Sequence, residues 1–236
     1  QTSHAGLNIT EMCLDRWEHT EVNDQSALIW EGEDGEVKSM AYRRLAIEVM
    51  KCASGLKAKG INRGDAVGIH LPMLPETVIS LLAINRIGAI AVPVFSGYGV
   101  EAISSRLIAV GAKALITCEG FKRRGKFFDA LEIATQAVAT SPTVQFVFVV
   151  QSIEKAFNYE RGTAKYFDFG EIYSLRRIER PSGWGLAEKT SAEDPLIILY
   201  TSGTTGKPKG IAHTHASFPI KAAQDMAFGT DVGRGT

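Results

Sequence analysis

Three glycine-bearing segments of this chain combine residue types that handle phosphate. The first is Tyr200-Thr201-Ser202-Gly203-Thr204-Thr205-Gly206-Lys207-Pro208-Lys209-Gly210, directly after an apolar run. Hydroxyls, backbone N–H groups freed by glycine and two ammonium groups are the donors that grip a polyphosphate. A flexible linker is the alternative, but a linker needs neither a buried strand in front nor lysines spaced around a proline. The triphosphatase loop is excluded, because the spacing is G-x-x-G-K and Pro208 replaces the magnesium-holding hydroxyl. The second segment, Gly120 to Phe127, satisfies G-x-x-x-x-G-K, yet Phe127 again denies that loop its Ser or Thr. What remains is four cations, Lys122, Arg123, Arg124 and Lys126, held by Gly120 and Gly125 beside an expected helix start. Arginine forks and the positive end of a helix suit a phosphate ester, and a solvated basic loop is the competing reading. The third, Gly97-Tyr98-Gly99-Val100-Glu101-Ala102 with Glu119 about 20 residues on, has the outline of a dinucleotide fingerprint. That fingerprint normally opens its domain, whereas here another strand precedes it. His213 and His215 alternate like a ligand pair but have no third ligand nearby, so they read as ordinary loop histidines and no metal site is assigned.

The elements that position these segments follow from periodicity. Tyr42, Leu45, Val49, Cys52, Ala53 and Leu56 recur at three and four, which predicts an amphipathic helix ending at Gly60. Ala66–Leu71 predicts a buried strand, and Pro75 starts a helix through about Arg86 because its missing N–H needs no partner there. The order continues with strand 89–95, helix 100–110, strand 114–117, helix 127–139, and strands 146–150 and 196–200. Continuous apolar strands alternating with helices predict an α/β fold whose largely parallel sheet is covered by helices on both faces. Residues 151–190, with Arg176, Arg177, Arg180 and Pro181-Ser182-Gly183, break the rhythm and read as an irregular excursion. The acidic run Glu31, Glu33, Asp34 and Glu36 reads as a solvated hairpin around Gly35.

Composition removes several function classes. Twenty-six basic and 26 acidic side chains cancel, leaving no global field for nucleic acid or an anionic membrane. Hydrophobic residues at 45% and charged residues at 22% exclude a disordered chain, and 236 residues suffice for a substantial core. The apolar stretch 77–95 carries Asn85, Arg86, Gly88 and Pro93, so it reads as two buried elements and not a membrane span. Cys13, Cys52 and Cys118 have no C-x-x-C spacing, which favours reduced thiols and a cytoplasmic setting. The chain begins at Gln1 and ends in Val-Gly-Arg-Gly-Thr, and is expected to be a piece of something longer.

The segment Tyr200–Gly210 resembles the signature of the adenylate-forming superfamily, Y-T-S-G-[ST]-T-G-x-P-K-G, at every position. Cys13-Leu14-Asp15-Arg16, Ile29-Trp30-Glu31-Gly32, Pro72-Met73 with Pro75-Glu76, and Glu193-Asp194-Pro195 resemble its acetyl-CoA synthetase branch. In that branch an R-G-G-K segment binds coenzyme A phosphates; Arg123-Arg124-Gly125-Lys126 stands here, with Arg124 in place of a glycine. Phe95-Ser96-Gly97-Tyr98 resembles the branch's F-x-G-[FY] near the coenzyme A channel, which gives the apparent dinucleotide pattern a different explanation.

The resemblance implies that residues 1–236 are the N-terminal portion of an AMP-binding large domain. It implies an enzyme using ATP, magnesium and coenzyme A to convert a small carboxylic acid, acetate- or propionate-like, to acyl-adenylate and then acyl-CoA. Thr201, Ser202, Gly203, Thr204, Thr205, Gly206, Lys207 and Lys209 would hold ATP phosphates; Arg123, Arg124, Gly125, Lys126 and Gly97 would serve coenzyme A. No catalytic residue falls within the segment, so it is expected to be inactive alone. An apolar surface expected around Leu196–Tyr200 and the helix after Thr214 suggests a homo-oligomer. The alternative function is a dinucleotide-binding module built on Gly97 and Gly99.

Overall fold

The computed structural model describes residues 6–151, 164–173, 185–201, 208–230 and 232. Residues 202–207 of the hydroxyl-rich segment, and Arg176, Arg177 and Arg180, lie outside the described residues.

Helix α1 (Ile9–Cys13) starts on Asn8, whose side chain accepts the Thr10 N–H. Strands β1 (Ser26–Glu31) and β2 (Val37–Ala41) form the expected antiparallel hairpin, with Gly35 in its turn at φ 81°. Helix α2 (Tyr42–Ala58) buries Leu45, Val49, Cys52, Ala53 and Leu56, the face that the periodicity predicts. There follow β3 (Ala66–His70), α3 (Pro75–Arg86), β4 (Ile90–Pro93), α4 (Val100–Ala109) and β5 (Ala114–Cys118). A short hairpin, β6 (Phe121–Arg123) and β7 (Lys126–Phe128), precedes α5 (Ala130–Ala139) and β8 (Phe146–Val150). The chain continues through β9 (Lys165–Asp168), α6 (Phe169–Tyr173), β10 (Pro195–Thr201), β11 (Lys209–Thr214) and α7 (Ser217–Gly229).

Seven strands make one sheet in the order β11-β10-β4-β3-β5-β8-β9, parallel except for the β10–β11 pair. Every residue of β3 and β5 is buried, which is why these strands read as unbroken apolar runs. Alternation along β5 sends Leu115 to one face and Ile116 to the other. On one face α2 and α3 contribute Leu45, Leu56, Ile79 and Ile84; on the other, Ile103 and Leu107 of α4 meet Leu131 and Val138 of α5. Each fully buried aliphatic side chain of this kind contributes ~1.5–3 kcal/mol of transfer free energy.

Four sequence expectations are corrected. Helix 127–139 begins only at Ala130, because Phe127 and Phe128 pair with β6 and Asp129 caps the helix by accepting the Glu132 N–H. Residues 151–190 contain a strand and a helix: Phe167 of β9 lies against Phe146 and Phe148, an aromatic packing that the irregular polar flanks concealed. His213 is in strand β11, and His215 is fully buried with its Nδ1 accepting the Ile9 N–H at 3.1 Å, so neither is an ordinary loop histidine. The expected apolar surface holds for the helix after Thr214 and fails at the start of Leu196–Tyr200. Leu196 and Ile197 are buried in the core, whereas Ile211 of β11 and Ile220, Met226 and Phe228 of α7 are exposed.

Candidate functional site at the C-terminal edge of the sheet

In open α/β sheets ligands sit beyond the carboxyl ends of the strands. Here a cavity of about 350 Å³ occupies that position between β3, β4 and β10. Ile69, Pro93 and Leu199 contribute apolar wall, and Ser96, Tyr98, Arg106, Arg123 and Tyr200 supply the polar atoms. Three sequence segments far apart in the chain thus converge: the Phe95–Tyr98 turn after β4, the basic hairpin after β5, and the residue preceding Thr201 on β10. A second hollow, about 400 Å³ and lined by Arg44, Glu48, Glu76 and Asp168, lies away from these segments. Its Glu48 is engaged by Arg44 and Lys51.

The basic cluster forms the turn of the β6–β7 hairpin and not a helix start. Arg123 pairs with Lys126 across it, and Arg124 and Gly125 form the turn at φ 51° and 73°. Left-handed backbone at both central positions is what a tight two-residue hairpin requires. It suits glycine at position 125 and strains Arg124, the residue that departs from R-G-G-K. The Arg124 N–H donates to Glu33 Oε1 at 2.8 Å, so the acidic β1–β2 turn holds the basic one. Arg124, Gly125 and Lys126 are exposed, and Arg123 lies half-buried with its guanidinium 5.1 Å from the Phe95 ring centre.

Gly97 leaves room for this approach. A Cβ there would stand 2.7 Å from Phe95 Cε1 and 3.4 Å from Arg123 Nη1, so a larger residue would force the exposed Phe95 ring to shift. Phe95 and Tyr98 meet edge to face at 5.5 Å. Beneath the turn, His70 at the end of β3 is fully buried, with Nδ1 3.2 Å from Thr117 Oγ1. Burial pulls its pKa down to about 4, opposed by a hydrogen bond with the Ser96 backbone, so the ring is neutral.

Thr201 and Lys209 face each other at the loop end of the β10–β11 hairpin, both exposed. Residues 202–208 join them, and of these Ser202, Gly203, Thr204, Thr205, Gly206 and Lys207 lie outside the described residues. Among the described residues no cluster of three or more His, Cys, Asp or Glu is suited to a metal, and the cavity lining holds no carboxylate for magnesium. The dinucleotide alternative meets two obstacles. Glu119, the acid needed for a ribose, is 4% exposed, and β4 is flanked by β3 and β10 and does not lead the sheet. Sequence reasoning missed Arg106, His70 and Glu33. Arg106 falls on the buried stripe of α4, the one available signal, since a charge on an apolar helix face needs a reason.

The C-terminal edge of this two-sided α/β sheet, with its cavity and basic hairpin, is the place where open α/β folds bind their ligands. Residues 14–234 match the AMP-binding enzyme family, and the chain belongs to it. It is 41% identical over 227 residues to acetyl-coenzyme A synthetase of Gemmatimonas aurantiaca, covering 96% of this chain and 34% of that protein. It is 38% identical over 229 residues to acetyl-coenzyme A synthetase of Wolinella succinogenes, again 96% and 34%. Acetoacetyl-CoA synthetase from Streptomyces lividans superposes with a TM-score of 0.84 at 24% identity, covering 99% of this chain and 35% of that one; this likeness concerns the fold. The chain spans about a third of the length of these relatives. Among the described residues no helix is long and apolar enough to cross a membrane.

Proposed function

We propose that residues 1–236 form the N-terminal portion of the large domain of an AMP-forming acid–CoA ligase acting on a small carboxylic acid. The observation that carries this reading is the convergence of Arg123, the Phe95–Tyr98 turn and Tyr200 on one cavity at the C-terminal edge of the sheet. The carboxylate oxygen attacks the α-phosphorus of ATP, pyrophosphate leaves, and the coenzyme A thiolate then displaces AMP from the acyl carbon. Charge neutralisation and positioning carry the first step, because little covalent work falls to the protein. Thr201, Ser202, Thr204, Thr205, Lys207 and Lys209, with backbone at Gly203 and Gly206, would hold the phosphates that become pyrophosphate. Arg123, Arg124 and Lys126, on the turn made by Gly125 and against Gly97, would hold the phosphates of coenzyme A through charge-assisted contacts. Magnesium, when bound with ATP, neutralises phosphate charge.

ATP–pyrophosphate exchange with acetate and with propionate in the full-length protein tests this function. Lys207→Ala and Thr204→Ala should each slow exchange by ~10²–10³-fold, the effect of losing one donor to developing charge. Consumption of supplied acyl-adenylate should be nearly unchanged. Exchange within twofold of wild type in both variants would exclude the loop from phosphate binding. The 236-residue chain alone should give no exchange above background.

A further inference from the structure

Arg106 has no role in the reaction as proposed, yet its placement is unlike that of the other cations near the cavity. It projects from α4, is 7% exposed and lines the cavity. Its guanidinium carbon lies 4.4 Å from the Tyr98 ring centre and 5.2 Å from that of Tyr200. Nη1 donates to the Ala102 carbonyl one turn back at 2.6 Å, whereas the buried Nε has no partner. Among the described residues no carboxylate pairs with it. A buried guanidinium without a counter-ion is costly, and an apolar side chain of similar size would fill the same space.

The two aromatic contacts supply the reason. Tyr98 ends the Phe95–Tyr98 turn, and Tyr200 precedes the first residue of the hydroxyl-rich segment. The Tyr200 hydroxyl also leans on the Arg106 carbonyl, at 3.4 Å. A guanidinium plane is suited to stacking on two rings at once.

We infer that Arg106 is a positioning residue that holds the Gly97 turn and the start of the phosphate loop in one arrangement by stacking between Tyr98 and Tyr200. The inference rests on the ligase reading for its kinetic consequences. The test is Arg106→Met and Arg106→Lys in the full-length protein, read by pyrophosphate exchange, by the KM for coenzyme A and by melting temperature. Arg106→Met should slow exchange and raise the coenzyme A KM together, each by ~3–30-fold, the range of cation–π contacts. Its melting temperature should hold or rise, because an unpaired buried charge is gone, and Arg106→Lys should restore part of both kinetic losses. Both constants within twofold of wild type in Arg106→Met would overturn the inference. So would kinetic losses that merely follow a lowered melting temperature, with no recovery in Arg106→Lys. Should the wild-type protein show no exchange with any small carboxylate, the ligase reading fails, and stability alone decides the inference. Tyr98→Leu and Tyr200→Leu should then be non-additive in melting experiments with Arg106 present and additive in the Arg106→Met background. Additivity in both backgrounds would overturn it.

Discussion

The two edges of the central sheet carry buried arginines under opposite conditions. At the N-terminal edge Arg86 is 3% exposed and saturated: both terminal nitrogens reach the Asp15 carboxylate, Nη1 also donates to Thr10 Oγ1, and Nε donates to the Gly185 carbonyl. Neighbouring charges on this edge are paired too, Lys113 with Asp65 and Arg63 with Asp194. At the C-terminal edge Arg106 has two aromatic rings and its own helix, His70 is buried with Nε2 unpartnered, and Arg124 occupies strained backbone. Buried atoms without a partner occur at both edges, Asn85 Oδ1 and His215 Nε2 at one and His70 Nε2 and Arg106 Nε at the other, so the contrast lies in the two arginines. Arg86 is fully paired without a ligand, whereas Arg106 lines a cavity with one nitrogen unpaired.

The comparison breaks most easily at Asp15. Asp15→Ala leaves the buried Arg86 charge uncompensated and should cost ~3–5 kcal/mol in urea denaturation. A loss below 1 kcal/mol, close to the unchanged or raised stability expected for Arg106→Met, would erase the distinction between the two arginines.

His70 tests the other edge through pH. Its folded pKa is lowered to about 4 from the usual 6.5, so the folded state favours the neutral ring. The unfolded chain therefore binds the proton first. Stability from this site is complete above about pH 6.5 and is lost as pH falls toward 4, a loss of roughly 3 kcal/mol in all. Burial lowers the His215 pKa as well, opposed by Asp194, which adds a contribution of the same sign from the N-terminal edge. Denaturation of wild type and His70→Gln between pH 4 and 7.5 should show the shallower dependence in the variant. Equal slopes would mean that His70 titrates normally.

Arg123→Ala sharpens the comparison at the ligand. The apparent KM for coenzyme A should rise tenfold to a hundredfold with that for ATP unchanged, the value of one charge-assisted phosphate contact of ~1.5–3 kcal/mol. Normal coenzyme A binding in Arg123→Ala/Arg124→Ala would make the hairpin a solvated loop. The smallest effect concerns backbone strain. Arg124→Gly relieves the left-handed conformation and should stabilise the protein by ~1 kcal/mol in thermal melts, with a modest rise in coenzyme A KM. A destabilised Arg124→Gly would show that the left-handed backbone at this position carries no strain that glycine relieves.

The elements with strong periodicity were legible beforehand: α2 by its recurrence at three and four, α3 by Pro75 at its first turn, and β3 and β5 by unbroken apolar runs. Strand β9 was not, because Lys165–Asp168 is short and its single aromatic pair gives no periodicity until β8 packs beside it. The basic cluster was visible, but its hairpin was not, since Phe127 and Phe128 fit a helix pattern as well as a strand and only pairing with Phe121 and Lys122 separates the two. The sequence by itself determined the residue types that meet phosphate, their order along the chain, and the alternation that builds a parallel sheet. Which of those residues meet was decided by tertiary structure. Parallel strands deliver their carboxyl ends to one edge, and this brings residue 98 to residue 200 and residue 123 to residue 95. The fate of each buried charge was decided there as well: Arg86 and Arg106 are alike as letters, and only the packing sets one against a carboxylate and the other between two rings.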